Sequence, residues 1–213
     1  MKIFSKIVGS LALIAMTVSF SGCGGAKLSP KMEKAFSDNA TMYTTSNMHY
    51  TISRRAKIIE ATNKTVGILV PINSEVTMND INSKQLIFNY NDSKIVLRNK
   101  MKYSGLDIGQ IAERAFSSTK TDLSKFNSIE LKGIRTSQAL PGMSKDAVVA
   151  ALGVPLAHQT PSLEMDEWKY WKSSWSTFIV HFENDKVVPA PMHSSRTSTT
   201  VFPGITIHSN SEY

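Results

Sequence analysis

The chain has 213 residues, with 24 lysines and arginines against 17 acidic residues and a net charge of +7. This length allows one large domain or two small ones. The basic residues form no dense block, which argues against a nucleic-acid-binding protein and favours ordinary solubility or weak adhesion to anionic lipid. Cysteine occurs once, so an internal disulfide is excluded.

The first 22 residues have the features of a secretory signal. A short basic start, Met1 to Lys6, precedes an apolar run from Ile7 through Phe20. A helix needs ~20 apolar residues to cross a bilayer, and this run is shorter. Removing residues 1–22 takes away two lysines and no acid, so the net charge of the remaining chain is +5.

The end of this segment, Phe20-Ser21-Gly22-Cys23, resembles the lipobox of bacterial lipoproteins. The resemblance implies cleavage before Cys23 and a covalent diacylglycerol and acyl lipid, such as palmitate, on its thiol. Two or more chains anchor a protein stably where one does not. Gly24 follows in place of the aspartate that retains enteric lipoproteins in the inner membrane. The family rule therefore favours the periplasmic face of a Gram-negative outer membrane. The alternatives are a plain signal peptide with an incidental cysteine and a buried structural thiol.

Residues 23–40 are expected to be a tether, because a Gly-rich start and a polar stretch lead up to the first strand-like segment. At the other end, Pro189-Ala190-Pro191 opens a tail rich in serine and threonine. Residues 189–213 have few apolar positions and no periodicity, so they are expected to be mostly disordered.

Residues 41–103 are predicted to be β-rich, as a small antiparallel barrel or sandwich. Asn91-Asp92-Ser93 has the chemistry of a hairpin turn. The segment from Pro71 to Val76 is similar to the one before a central strand in SH3-like barrels, which implies an SH3-like region. Runs of aromatic and β-branched residues separated by turn residues lie at 42–45, 50–52, 56–61, 68–70, 76–78, 85–88 and 94–97.

Residues 104–188 are predicted to contain helices and then a sheet. Ser104 is the expected cap of a first helix, and Gly133 is expected to end the helical spacing that follows. Apolar residues recur at helical spacing at Ile108, Ile111, Ala112, Ala115, Phe116, Leu123, Phe126 and Ile129.

A further short helix should begin at Ser144 as N-cap, with Met143 and Val148 forming a hydrophobic staple. Gly153 and the following Pro155 should end it. Three antiparallel strands are predicted next, at 166–171, 175–182 and 186–188, the last two joined by a tight turn.

This order of features resembles the SmpA/OmlA (BamE-like) family over about residues 121–188. The resemblance implies two helices packed on a three-stranded antiparallel sheet, acting as a lipid-anchored binding or scaffold module. The preceding β-rich region is not part of that pattern. The matching segments are Gly142-Met143-Ser144-Lys145, Leu152-Gly153-Val154-Pro155, Trp168-Lys169-Tyr170, Phe178-Ile179-Val180-His181-Phe182 and Asn184-Asp185-Lys186-Val187.

No pattern in the sequence indicates a catalytic site, a metal site or a cofactor. There is no nucleophile elbow or phosphate loop, and the histidines lack metal-ligand spacing. Aromatic side chains are the expected partner contacts, because Trp and Tyr are enriched in interface hot spots. Alternation along a strand leaves open that one pair of them lies in the core. These candidates are Trp168, Tyr170, Trp171 and Trp175.

The sequence therefore predicts an α+β lipoprotein, anchored through Cys23, that binds another envelope protein without catalysing a reaction. Its expected role lies in outer-membrane assembly or integrity. One alternative is binding of cell-wall peptidoglycan or peptide by the β-rich region. Another is inhibition of a periplasmic enzyme, because the SmpA/OmlA fold is similar to that of β-lactamase inhibitor proteins.

Overall fold

The computed structural model describes residues 26–190 and two short strands, Val201–Phe202 and Ile205–Ser209. The signal segment and Cys23 lie outside the described residues. The fold is mixed α+β, with a large curled sheet in which antiparallel pairs predominate. No helix in the described part of the chain is long and apolar enough to cross a membrane.

Eight strands form the large sheet, and the seven segments predicted from sequence coincide with the first seven. They are β1 (Thr41–Thr44), β2 (Met48–Ser53), β3 (Ala56–Glu60), β4 (Ile68–Val70), β5 (Glu75–Ile81), β6 (Gln85–Tyr90), β7 (Ser93–Arg98) and β8 (Phe116–Ser117). Their order across the sheet is β4-β2-β3-β7-β6-β5-β1-β8. Only β3 and β7 pair in parallel.

Alternation along β5, β6 and β7 creates the core of this sheet. In each of these strands two residues, separated by one, are buried on the same face, and the other residues are half-buried or exposed. Phe88 meets Phe116 edge to face, with ring centroids 5.1 Å apart. The predicted turn at Asn91 and Asp92 is confirmed, since both residues have φ values, 46° and 56°, that a tight hairpin requires.

The structure differs from the expected tether at residues 26–38, which pack on this core. Helix α1 (Pro30–Ser37) begins at Ser29, whose hydroxyl accepts a hydrogen bond from the Met32 amide, with proline at its first position. Met32 is fully buried in the first core, and Leu28 packs against the same core. Because only Met32 and Ala35 of this helix are buried, most of its residues are polar, and its composition is that of a linker.

The region after β7 has two helices where one was expected. Helix α2 (Met101–Ser104) comes first, and helix α3 (Ile108–Ala115) is capped by Asp107 in a capping box with Gln110. The prediction that Ser104 caps this helix is wrong. Its buried hydroxyl instead bonds Asn99 and Leu106 between the two helices.

Two more helices precede the second sheet. Helix α4 (Ser128–Thr136) continues through Gly133, so the prediction that this glycine ends the helix is wrong. A Cβ on Gly133 would meet the Met143 sulfur, which shows that this glycine permits close packing. Helix α5 (Lys145–Leu152) is confirmed with Ser144 as its N-cap and Gly153, at φ 77°, ending it.

The second sheet is an antiparallel meander of β9 (Glu167–Trp171), β10 (Ser176–Glu183) and β11 (Lys186–Val188). Helices α4 and α5 contact each other and share one buried cluster with these strands. The turn at Asn184 and Asp185 has φ values of 49° and 60°, as predicted.

Part of the tail expected to be disordered pairs with this sheet. Strands β12 (Val201–Phe202) and β13 (Ile205–Ser209) pair with each other, and β13 also pairs with β10 at its Ser176–Ile179 end. Strand β10 thus has β9 on one side and both β11 and β13 on the other. The remaining tail residues lie outside the described part of the chain.

The molecule has two parts, the first sheet with α1 to α3 and the second sheet with α4 and α5, and each part has its own buried cluster. Asn47, in the loop between β1 and β2, joins them. Its backbone N–H donates to the Ala150 carbonyl at 3.0 Å, and its side-chain amide donates to the carbonyls of Ile134 and Ala151 at 2.6 and 3.2 Å. Its side-chain oxygen accepts from the Ile72 amide at 2.8 Å. One buried side chain therefore connects the first sheet to both α4 and α5.

Candidate functional site

The four aromatic residues singled out from sequence do not form one surface. Trp168 and Tyr170 are each only 1% exposed. The indole of Trp168 lies 4.7 Å from the Phe182 ring, and Tyr170 stacks on Phe178 at 5.6 Å. Alternate residues of β9 face the helices, so the alternative that one pair is core is correct for these two.

Tyr170 is wholly internal, and its prediction as a partner contact is wrong. Its hydroxyl donates a hydrogen bond to the Gly153 carbonyl at 2.9 Å, which fixes the end of α5 against the sheet. Burial raises the pKa of this phenol well above its ordinary value. The side chain is therefore a structural donor under all physiological conditions.

Trp171 and Trp175 lie on the other side of the meander. Trp171 is half-buried, and its carbonyl accepts from the Thr65 amide at 3.1 Å, so it contacts the first part of the molecule. Trp175 is 87% exposed in the turn between β9 and β10. Of the four candidates, only Trp175 is available as an exposed contact.

An open groove of about 550 Å³ lies where α4, α5 and the second sheet meet. Charged groups of both signs and apolar side chains line it together. We call it the α4–α5 groove, and its lining residues are Lys125, Phe126, Glu130, Ser144, Lys145, Asp146, Val149, Leu163, Glu164, Trp168, Asp185 and Lys186.

Glu130 is a buried carboxylate at one wall of this groove. One of its oxygens accepts from the Asn127 amide at 3.0 Å, completing the capping box of α4. The other accepts from the Ser144 amide at 2.9 Å and lies 3.4 Å from the Lys186 ammonium. Burial alone would raise the pKa, but the hydrogen bonds from Asn127 and Ser144 and the charge of Lys186 lower it to about 2.

Lys145 also lines the groove, and it connects α5 to the second sheet. Its side chain is 14% exposed, and its ammonium lies 2.8 Å from the Asp185 carboxylate and 3.9 Å from that of Asp166. It also donates to the Glu164 carbonyl at 3.2 Å and lies over the Phe182 ring at 5.5 Å. The charged groups around the groove are thus held in fixed positions by mutual pairing.

Trp168 is one of the apolar residues that line the groove, although only 1% of its surface is exposed. Its indole nitrogen is buried and has no hydrogen-bond acceptor within the described residues. A buried N–H without an acceptor costs free energy, roughly 1–3 kcal/mol.

The surroundings of Glu130 do not suit it for proton transfer. Glu130 is held ionised by its partners, whereas a general acid or base needs a pKa near the working pH. Among the described residues there is no group of three or more histidine, cysteine or acidic side chains that could hold a metal ion. The Nδ1 atom of His181 lies 3.3 Å from the Glu167 carboxylate, and these two residues belong to no such group.

Sequence reasoning missed Glu130, Lys145 and Lys186 as members of the site. The Asn127-x-x-Glu130 spacing is a readable capping-box signal, but it predicts only a helix start. The contact with Ser144 depends on how α4 and α5 pack, which no local pattern specifies. The sequence therefore indicates the cap of α4 but not the groove that Glu130 lines.

Comparison with protein-family models, with curated protein sequences and with solved structures finds no match for this chain.

Proposed function

We propose that this protein is a lipoprotein of the cell envelope that uses its α4–α5 groove to bind another envelope protein. In this proposal, lipid on Cys23 holds it at the periplasmic face of the outer membrane, and it acts as a scaffold without catalysis. The α4–α5 groove, in which charged groups of both signs and apolar side chains lie side by side, is the observation that carries the proposal.

The order of the C-terminal elements supports an SmpA/OmlA-like module. Two helices, α4 and α5, precede the three-stranded meander and share its core, which is the arrangement that the sequence resemblance implies. Modules of that family act as binding units, so a groove between helices and sheet is a suitable place for a partner. The likeness to SH3-like barrels in the first region remains part of the proposal.

The groove suits an extended protein segment. Leu163 in the groove lining and the nearby Met165 are 41% and 40% exposed, and they provide an apolar contact. Surrounding ion pairs give a polar rim, as in many protein interfaces.

The groove is tested by co-purification. A tagged full-length chain, solubilised from membranes in mild detergent, is expected to recover a defined partner that also binds the purified protein. Leu163→Asp should lower the affinity at least tenfold, because it puts a charge on the apolar rim of the groove. Ile52→Asp, at a 62% exposed residue of β2, is the matched control and should leave binding unchanged. Equal loss in both variants, or no partner above background, would contradict the proposal.

Anchoring is tested separately at Cys23. Mass spectrometry of the mature protein is expected to show an amino-terminal Cys23 carrying diacylglycerol and acyl chains, with processing sensitive to globomycin. Cys23→Ala should move the protein from the membrane fraction to the soluble fraction, because the thioether cannot form. An unmodified Cys23 in the mature chain would refute the lipoprotein assignment.

A further inference from the structure

The described part of the chain begins close in sequence to Cys23. Ala26 and Leu28 both pack against the first core, and Cys23 lies only three residues before Ala26. A fully extended chain spans at most about 3.6 Å per residue, so this link reaches about 11 Å. If Cys23 is lipidated, the surface around Ala26 lies next to the membrane.

Two contacts give the direction from which the chain arrives. The Lys27 carbonyl lies against Gly109 in the first turn of α3, where a Cβ would not fit. The Ser29 hydroxyl donates to the Glu113 carboxylate, one turn further along the same helix. Residues 27–29 therefore run alongside α3 in its own direction, which puts Lys27 at the end of α3 that is nearer to α2.

Helix α2 itself presents basic and apolar side chains. Met101 is 58% exposed and Tyr103 is 39% exposed. Lys100 and Lys102 flank them, both exposed, and the Lys102 ammonium lies 5.6 Å from the centre of the Tyr103 ring. The Tyr103 carbonyl is hydrogen-bonded to the His158 ring at 2.8 Å, which holds the helix to the second part of the molecule.

The charge at this surface is unbalanced. Lys27, Lys100 and Lys102 take part in none of the ion pairs between described residues. The acid nearest in sequence, Asp107, caps α3 by accepting from the Gln110 amide. Exposed lysines with an adjacent tyrosine and methionine are typical of a surface that lies in the headgroup region of a bilayer.

We propose that Lys27 and the α2 segment, residues 100–103, form a surface that binds the anionic phospholipid headgroups of the membrane in which Cys23 is anchored. This proposal rests on the lipidation proposed above. Met101 and Tyr103 lie at the boundary between headgroups and acyl chains, and the lysines pair with lipid phosphates. The anchor and this surface together fix one orientation, in which α2 faces the bilayer.

Vesicle binding tests the proposal without the anchor. The mature chain, residues 23–213 with Cys23→Ser, is floated with vesicles of phosphatidylethanolamine and phosphatidylglycerol and with vesicles of phosphatidylcholine. Binding is expected only to the anionic vesicles. Lys100→Gln with Lys102→Gln should lower the partition coefficient at least tenfold, since each lysine near an anionic surface contributes about fivefold. Lys132→Gln with Lys172→Gln removes the same charge elsewhere and should have little effect.

A second measurement locates the contact directly. Lys102→Cys in the Cys23→Ser chain is labelled with an environment-sensitive dye, and its emission should shift to the blue with anionic vesicles, unlike that of Lys132→Cys. Equal loss with both lysine pairs, equal binding to neutral vesicles, or binding to polyglutamate but not to vesicles would overturn the proposal. These outcomes do not depend on the acylation of Cys23, which mass spectrometry decides, so either proposal can fail alone.

Discussion

Replacing Asn47 with alanine is expected to lower the free energy of unfolding by about 3 kcal/mol or more, since each buried backbone group left without a partner costs roughly 1–3 kcal/mol. The residue is 4% exposed, and its side chain holds the Ile72 amide and the carbonyls of Ile134 and Ala151. Alanine satisfies none of them. Because these bonds join the first sheet to α4 and α5, a single unfolding transition should also separate into two.

Urea denaturation followed by circular dichroism and by tryptophan fluorescence measures both effects. The three tryptophans all lie in the second part of the chain, so fluorescence reports that part while circular dichroism reports the whole. Asn89→Ala is the matched control, at a half-buried residue of β6 whose side chain makes no hydrogen bond to the described residues. An Asn47→Ala variant as stable as Asn89→Ala would show that these hydrogen bonds do not connect the two parts.

Acidification is expected to destabilise the protein through Glu130. Hydrogen bonds and Lys186 lower the folded-state pKa of this carboxyl from 4.5 to about 2, so the unfolded chain binds a proton more readily than the folded one. The stabilisation is therefore complete above about pH 4.5 and is lost as the pH falls towards 2. A difference of this size corresponds to roughly 3 kcal/mol at neutral pH.

Glu130→Gln isolates that contribution. At pH 7 the variant should be less stable by about 2–3 kcal/mol, because one neutral oxygen replaces two charged acceptors. Its loss of stability between pH 7 and pH 3 should be smaller than that of the parent. Glu183→Gln, at an exposed residue of β10, should follow the parent in both respects. Urea midpoints at the two pH values give the comparison, and parallel pH profiles for Glu130→Gln and the parent would contradict this account.

The parts of the fold that were predicted from sequence are those with a local cause. Strands β5 to β7 follow from runs of aromatic and β-branched residues between turn residues. Helix α5 follows from the Ser144 cap and Gly153. Both tight turns follow from Asn-Asp pairs that tolerate positive φ. In these segments one property of the residues decides the conformation whatever the rest of the chain does.

The features that were not predicted depend on distant residues. Helix α1 is polar along most of its length, and it is fixed by burying Met32 and Ala35 against strands far along the chain. Glycine often ends a helix, so the sequence pattern predicts an end at Gly133, whereas in the structure this glycine makes room for Met143. The parallel pairing of β3 with β7 joins segments that are not neighbours in sequence, and no local pattern indicates it.

In the candidate site too, some features have a local cause and others depend on distant residues. The burial of Trp168 and Tyr170 was one of two outcomes that strand alternation allowed, and the packing of α4 and α5 on β9 selected it. The groove exists only because those helices meet the meander. Sequence patterns therefore identified the residues of the strands but not the cavity beside them.

The pairing of β10 has a consequence for the protection of its edge. Strand β13 covers one side of this central strand at its Ser176–Ile179 end. An uncovered strand edge offers unpaired backbone groups to other chains and so promotes aggregation. Proteolytic loss of β13 should therefore make the protein prone to aggregate through β10, even though the buried cluster beneath the sheet is complete without it.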